Sequence, residues 1–351
     1  MHNQTLVDPV VVRHMGEAER PKWDAFVRAQ PDATFFHLSA WQGLIENLQG
    51  HRTYYLYAER NGEIVGVLPL AEVKSLLFGH SLSSLPFCAY GGVVALDSAA
   101  ADALEAEAGR LAQARGVEHL EFRNLSAVRH PEWPRQDLYV TFRRRIEADD
   151  EANMLAIPRK QRAMVRKGIK NGLIGNIDPD TQRFFAVYAD NVRRHGTPAL
   201  SERWFAGLQD AFGDDCEVLS VTDAAGRPLS SVLSFFFRDE ILPYYAGDYP
   251  AARDLAANDF KYWSLMQRAV VRGCGIFDYG RSKLGTGPYS FKKNWGFEPQ
   301  PLSYEYRLFK RDGIPQNNPL NPKYRAFIAL WRRLPLPIAN RLGPLIVRNL
   351  G

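Results

Sequence analysis

The feature that most restricts what this chain can fold into is a set of landmarks that recurs once, displaced by roughly 160 residues. Ser39 stands just ahead of Trp41, and Ser201 just ahead of Trp204 and Phe205. Arg60-Asn61-Gly62 joins two alternating runs, 54–59 and 63–70, and Ala225-Gly226 joins another pair, 217–222 and 229–237. Ala89-Tyr90-Gly91-Gly92 is echoed by Tyr244-Tyr245-Ala246-Gly247. A helical segment at 98–115 ends before Gly116, and one at 258–272 ends before Gly275; strands 117–122 and 276–279 follow them. Alternation of period two marks strands, recurrence at three and four marks helices, and Asn-Gly marks a hairpin. The predicted fold class is α/β (α+β), a tandem duplication with mixed central sheets. Two such units are expected to leave a cleft between them, and domain junctions favour ligands. The expected division is 1–146, 147–310 and a tail at 311–351.

The stretch from Ile276 to Phe297, IFDYGRSKLGTGPYSFKKNWGF, is the most unusual in composition. A short strand opens it, and a loop bent at Gly280, Gly285 and Gly287 is expected to follow. Arg281, Lys283, Lys292 and Lys293 stand among Tyr289, Phe291, Trp295 and Phe297. Fixed positive charges within aromatic walls suit an anionic or carbonyl-bearing ligand. A basic surface loop with aromatics packed beneath it would have the same composition.

Two further segments are basic. Residues 158–170 hold six cations and no acid, with Arg159, Arg162, Arg166 and Lys170 at helical spacing on one face. Such a face suits phosphate or nucleic acid, or simply solvent. From Asn321 to the end there are cations and no carboxylates, with Trp331, Phe327 and Leu330 among them. That pattern suits either an anionic membrane surface or a helix docked on the body. The overall net charge, +5, asks for neither.

The familiar catalytic patterns are missing. There is no His-Glu-x-x-His, no cysteine pair, no Gly-x-Ser-x-Gly elbow and no Walker or Rossmann glycine run. No metal is expected. Three scattered cysteines suggest a reducing compartment, and residues 1–14 carry no basic stretch ahead of a long apolar core. The expected location is cytoplasmic, at the inner face of the membrane if the tail contacts it. Acyl transfer without a covalent enzyme intermediate fits what remains: an amine attacks an activated ester, and a cation or hydroxyl stabilises the oxyanion.

Phe291-Lys292-Lys293-Asn294-Trp295-Gly296-Phe297, preceded by Tyr289, resembles the signature of the Fem family, the non-ribosomal peptidyltransferases of peptidoglycan cross-bridges and their GNAT-like relatives. The longer string FDYGRSKLGTGPYSFKKNWGFEPQPLSYEY resembles the FemAB-like branch associated with exopolysaccharide and PEP-CTERM systems. The resemblance runs from about residue 10 to 310 and is strongest here. It implies two GNAT-like domains, a basic helix opening the second, and an acyl- or aminoacyltransferase acting on an amine of a cell-envelope or exopolysaccharide precursor. It places Lys292 at the reaction centre as the stabilising cation; beside it, the residues themselves suggest Tyr289 as a catalytic partner and Asp248 either as a base or as a loop cap. Arg281, Ser282, Lys283, Lys293, Tyr245, Trp295, Arg159, Arg162 and Arg166 would hold the substrates. No tightly bound cofactor is implied. The donor would be an aminoacyl-tRNA, an acyl-CoA or an acyl carrier protein, and the partners tRNA, an anionic glycan precursor and, through 321–351, a membrane. A non-catalytic binder of a phosphorylated or lipid-linked glycan remains an alternative. Two departures stand out. Leu44 and Ile45 occupy places where cross-bridge enzymes carry a lysine for nucleotide-sugar phosphates, and no charged helical hairpin is inserted. The 248–254 loop lacks the glycine pattern with which ordinary GNAT enzymes hold a pyrophosphate.

Overall fold

A computed structural model describes residues 8–75, 78–125, 128–315 and 322–349. In chain order these form β1 (Val11–His14), α1 (Arg20–Ala29), α2 (Ala40–Leu44), β2 (Arg52–Arg60), β3 (Glu63–Ser75), β4 (Gly79–Ser83), β5 (Val94–Ala95), α3 (Ser98–Arg115), β6 (His119–Asn124) and β7 (Arg135–Gln136). There follow β8 (Tyr139–Thr141), β9 (Arg143–Arg145), α4 (Asp150–Ala156), α5 (Arg159–Lys170), β10 (Ile174–Asp178), α6 (Gln182–His195), α7 (Glu202–Phe212), β11 (Cys216–Thr222), β12 (Pro228–Phe237) and β13 (Glu240–Asp248). The chain ends with α8 (Ala252–Leu255), α9 (Ala257–Val271), β14 (Ile276–Asp278), β15 (Ser282–Lys283), α10 (Gly287–Asn294), β16 (Gln300–Pro301), β17 (Ser303–Leu308), α11 (Pro322–Trp331) and α12 (Leu336–Val347).

Two compact units result, Met1–Asp137 with Leu302–Pro315, and Leu138–Pro301 with Gln316–Leu350. In the first, the sheet runs β1-β2-β3-β4-β6-β17-β7, with β5 on β3. In the second it runs β10-β11-β12-β13-β14-β9. Both are antiparallel except for one parallel pair, β4 with β6 and β13 with β14. The run β1-β2-β3-β4-β6-β17 matches β10-β11-β12-β13-β14-β9 in order and direction, while β5 and β7 are additions to the first sheet, so the duplication read from the landmarks is a duplication of topology.

The division differs from 1–146, 147–310 and 311–351, and the strands show why. Residues 139–146, expected as one strand of the first half, form β8 and β9, and β9 pairs with β14 of the second unit. Conversely β17 crosses back to pair with β6 of the first unit. The strand beyond the parallel pair is out of chain order in both sheets: β17 returns from after Pro301 in the first, and β9 precedes β10 in the second. The 316–321 part of the tail lies outside the described residues.

Local chemistry accounts for the elements. Asn61 and Gly62 both have left-handed backbone, φ 54° and 82°, as a tight hairpin between β2 and β3 needs. Asp97 caps α3 by accepting the Ala100 N–H at 2.9 Å. Ala100, Leu104, Ala108 and Ala112 recur every four residues and bury its inner face. In the second unit α6 and α7 cover one face of the sheet with Phe184, Trp204 and Phe205. The other face carries α5 and α9, where Val165, Phe260, Trp263 and Met266 join one core. The tail docks on its body: Gly343 of α12 lies against the Ala199 backbone, and Arg193 of α6 donates to the Arg332 carbonyl at 2.9 Å.

β13 and α6 touch closely at Gly247. A Cβ there would sit 2.7 Å from Tyr188 Cα and 2.9 Å from the Val187 carbonyl oxygen, both backbone and unable to swing aside. Gly247→Ala is therefore expected to lower stability by about 1–3 kcal/mol. Urea unfolding measures it, and an unchanged midpoint would mean that α6 yields without cost.

Candidate active site

The parallel pair in the second unit is short. β13 and β14 register only at Glu240↔Ile276 and Ile241↔Phe277, although β13 continues to Asp248. Beyond Ile241 the two strands no longer pair, and a register shift against β12 between Leu233 and Ser234 bends β13 at that level. An open strand edge with unpaired backbone groups is a place where a ligand can bind by main-chain hydrogen bonds.

β14 ends on Asp278, which is fully buried at 0 % exposure. Its Oδ1 accepts from Thr141 Oγ1 at 3.0 Å and from the Gly280 N–H at 2.7 Å, while Arg143 Nε lies 3.3 Å from Oδ2. The Gly280 bond closes an Asx-type turn, and φ of 67° at that position explains the glycine. This turn aims the carbonyls of Gly280 and Arg281 inward. Lys292, on α10 and only 8 % exposed, donates to both, at 2.8 and 3.2 Å. An ammonium has three donors, so one N–H remains for a further oxygen.

Burial dominates the electrostatics. It pulls Lys292 down to about 7; Asp278 resists that shift and Arg281 adds to it. Burial raises Asp278, against the pull of Arg143. Glu240, ion-paired with Arg143, is raised by burial and then by the Asp278 charge. A lysine that changes charge near neutrality suits both proton donation and stabilisation of an oxyanion.

The expected site residues divide. The 276–297 stretch is not one bent loop. It forms β14, β15 and α10, with β15 pairing β8 at Ser282↔Val140. Tyr289 is half-buried on α10 against the Phe142 ring, at 5.5 Å. Ser282 is buried with its hydroxyl unpartnered. The Arg281 guanidinium lies over the Tyr139 ring at 4.8 Å. Lys283 is half-buried, and Lys293 is exposed on α10. The aromatic-wall expectation is corrected for Trp295 and Phe297: both are fully buried core residues, and Trp295 Nε1 donates to Asp259 at 3.0 Å.

Asp248 and Tyr245 do not join this group. Asp248 accepts from the wholly buried Lys261 at 3.0 Å and from the Ser230 hydroxyl, so it neutralises a core ammonium rather than standing ready as a base. Tyr245 packs among Phe205 and Tyr188 in the α6 and α7 layer, and its hydroxyl accepts from Trp204 Nε1 at 3.3 Å. On α5, Arg159 and Arg166 are exposed, and Arg162 bonds the Ile157 carbonyl at 3.2 Å. Pro158, just ahead of α5, abuts Gly296, which brings the start of the basic helix beside the end of α10.

Asp278, Arg143, Thr141 and Glu240 were not foreseen. The available signal was an aspartate inside an apolar strand followed two residues later by glycine. Removing the Asp278 charge in Asp278→Asn should lower the Lys292 titration point below about 7, because the neighbour that favours the ammonium is gone. Carbon NMR of the lysine ε position reads this directly. A Lys292 titrating near 10.5 in either protein would contradict the assigned environment.

Comparison with known proteins bears on the fold. The acetyltransferase (GNAT) domain family matches residues 159–293. No curated protein matches the sequence. Among solved structures, FemX has 16 % identity and a TM-score of 0.69, covering 86 % of this chain and 98 % of its own. A tandem GNAT protein from the clavulanic acid biosynthesis pathway has 12 % identity and a TM-score of 0.53, covering 87 % and 100 %. The C-terminal domain of a putative lysylphosphatidylglycerol synthetase from Agrobacterium fabrum has 14 % identity and a TM-score of 0.56, covering 89 % and 95 %. The chain thus shares the two-unit fold of FemX and of a tandem GNAT protein, and its second unit carries the match to the acetyltransferase (GNAT) domain family.

Proposed function

We propose that the protein transfers an acyl or aminoacyl group to an amine of a cell-envelope or exopolysaccharide precursor, with Lys292 as the cation at the reaction centre. The observation that carries this reading is the buried Lys292 ammonium, held by the Gly280 and Arg281 carbonyls with one donor to spare. The amine attacks the donor carbonyl, and the carbonyl oxygen becomes an oxyanion. Lys292 stabilises that charge by its remaining N–H. Collapse expels an alkoxide or thiolate, which takes up a proton as the amine loses one. A lysine that titrates near 7 can supply the proton to the leaving group.

The donor is better read as aminoacyl than as acetyl-CoA. The segment between β13 and α9 has no run of glycines to cradle a pyrophosphate, and Asp248 at the end of β13 is tied to Lys261. The fold shared with FemX and a lysylphosphatidylglycerol synthetase domain agrees with an aminoacyl donor. The exposed Arg159 and Arg166 would meet the phosphates of such a donor. The acetyltransferase domain match keeps acyl-CoA as the second reading. Leu44 and Ile45 are both buried, so this place holds no cation for a nucleotide-sugar acceptor. A lipid-linked or glycan amine then suits the chain better than a nucleotide-linked one.

Incubation of the full chain with ATP, amino acids, tRNA and synthetases, against incubation with acyl-CoA, separates the donors by product mass. Lys292→Met should lower kcat by about 10²–10³ while the fold is retained. Unaltered turnover in that variant removes Lys292 from the mechanism.

A further inference from the structure

α12 is buried on one side only. Ala339 and Gly343, four residues apart, face the body, with Gly343 against the Ala199 backbone. The adjoining side carries Ile338, Leu342 and Leu345, which follow one another at four and three residues and so form a single stripe. They are 47 %, 41 % and 57 % exposed. Arg341 and Arg348, one heptad apart, line one flank of that stripe and are also exposed. α11 adds the exposed Leu330 and Arg325, and the turn after it adds Arg332 and Arg333. No carboxylate occurs beyond Asp312.

A docked helix normally turns its apolar stripe inward and its charges outward. Here one apolar side is used in docking and a second is left in solvent, flanked by arginines. We infer that α12, with the end of α11, is a docking face for an anionic phospholipid bilayer, lying in the interface plane with Ile338, Leu342 and Leu345 entering the acyl boundary. The charge pattern selects the occupant: arginines beside an apolar stripe meet lipid phosphates while the leucines bury apolar area. A second copy of the chain would bring the same positive charges to the contact and be repelled. No helix among the described residues is long and apolar enough to cross a membrane, so the contact would be peripheral. The inference is independent of the donor or acceptor of the transfer reaction.

The test is sedimentation of the full chain with vesicles of phosphatidylglycerol and phosphatidylcholine, against phosphatidylcholine alone. Binding should require the anionic lipid and weaken as salt rises. Leu342→Gln with Leu345→Gln, and separately Arg341→Gln with Arg348→Gln, should each weaken it by roughly tenfold or more. Because all four side chains are exposed, the melting temperature should be unchanged. Hydrogen exchange across 336–348 in the unaltered chain should slow on the anionic vesicles, a reading that needs no variant. No sedimentation, equal binding to neutral vesicles, or full binding by the leucine variant each overturns the inference. So would the leucine variant converting a dimer to a monomer in size-exclusion chromatography, which would assign the stripe to a second copy.

Discussion

The second unit depends on one buried carboxylate. Asp278 stands at the end of a strand whose partner continues without it, and its side chain is wholly shielded from solvent. It is tolerated because Thr141, the Gly280 N–H and Arg143 supply the bonds that solvent would have supplied. Those bonds bend the chain at Gly280, the bend turns two carbonyls inward, and the carbonyls hold Lys292. The lysine is therefore fixed by the same group that keeps its charge accessible near neutrality.

The first unit uses buried charge differently, although its strands follow the same order. Burial of Glu121 would raise its pKa, but Arg123 beside it, with hydroxyls of Ser83 and Tyr306, holds it near 2. Arg123 then donates to the Leu85 and Cys88 carbonyls, in a turn where Leu85 and Phe87 take left-handed backbone. Glu305 of β17 is likewise satisfied, by Asn124 and by the N–H groups of Arg129 and His130. The Glu121 charge does not change near neutral pH. These bonds hold an irregular turn in place, whereas the equivalent region of the second unit keeps a titrating group. The duplicated topology thus carries one unit with fixed polar bonds and one with a mobile proton.

Much of the fold was legible because period and turn chemistry act locally. The Asn61-Gly62 hairpin, α3 ending at Gly116, the basic α5 and the α9–β14 connection all follow from short-range pattern. What escaped was non-local. Nothing near Arg143-Arg144-Arg145 says that its partner is Ile276–Asp278, and nothing near Ser303–Leu308 says that it rejoins the first sheet. The helix at α10 was hidden by its glycines and proline, which serve here at its start. At the candidate site, Lys292 was singled out through its motif. Trp295 and Phe297 were misread because composition does not show which side of a helix end meets the core. Asp248 and Tyr245 were misread because sequence spacing does not reveal Lys261 or Trp204 as their partners.

The central claim is that the Lys292 ammonium, not its neutral amine, supports transfer. Once a donor is in hand, the pH profile of kcat/KM tests it most directly. The folded Lys292 loses its proton as pH rises through about 7, so activity should fall along a basic limb there, and the limb should move to much higher pH in Lys292→Arg. A rate that climbs or stays level from pH 6 to 9 on the order of magnitude of full activity, in both proteins, would contradict the account.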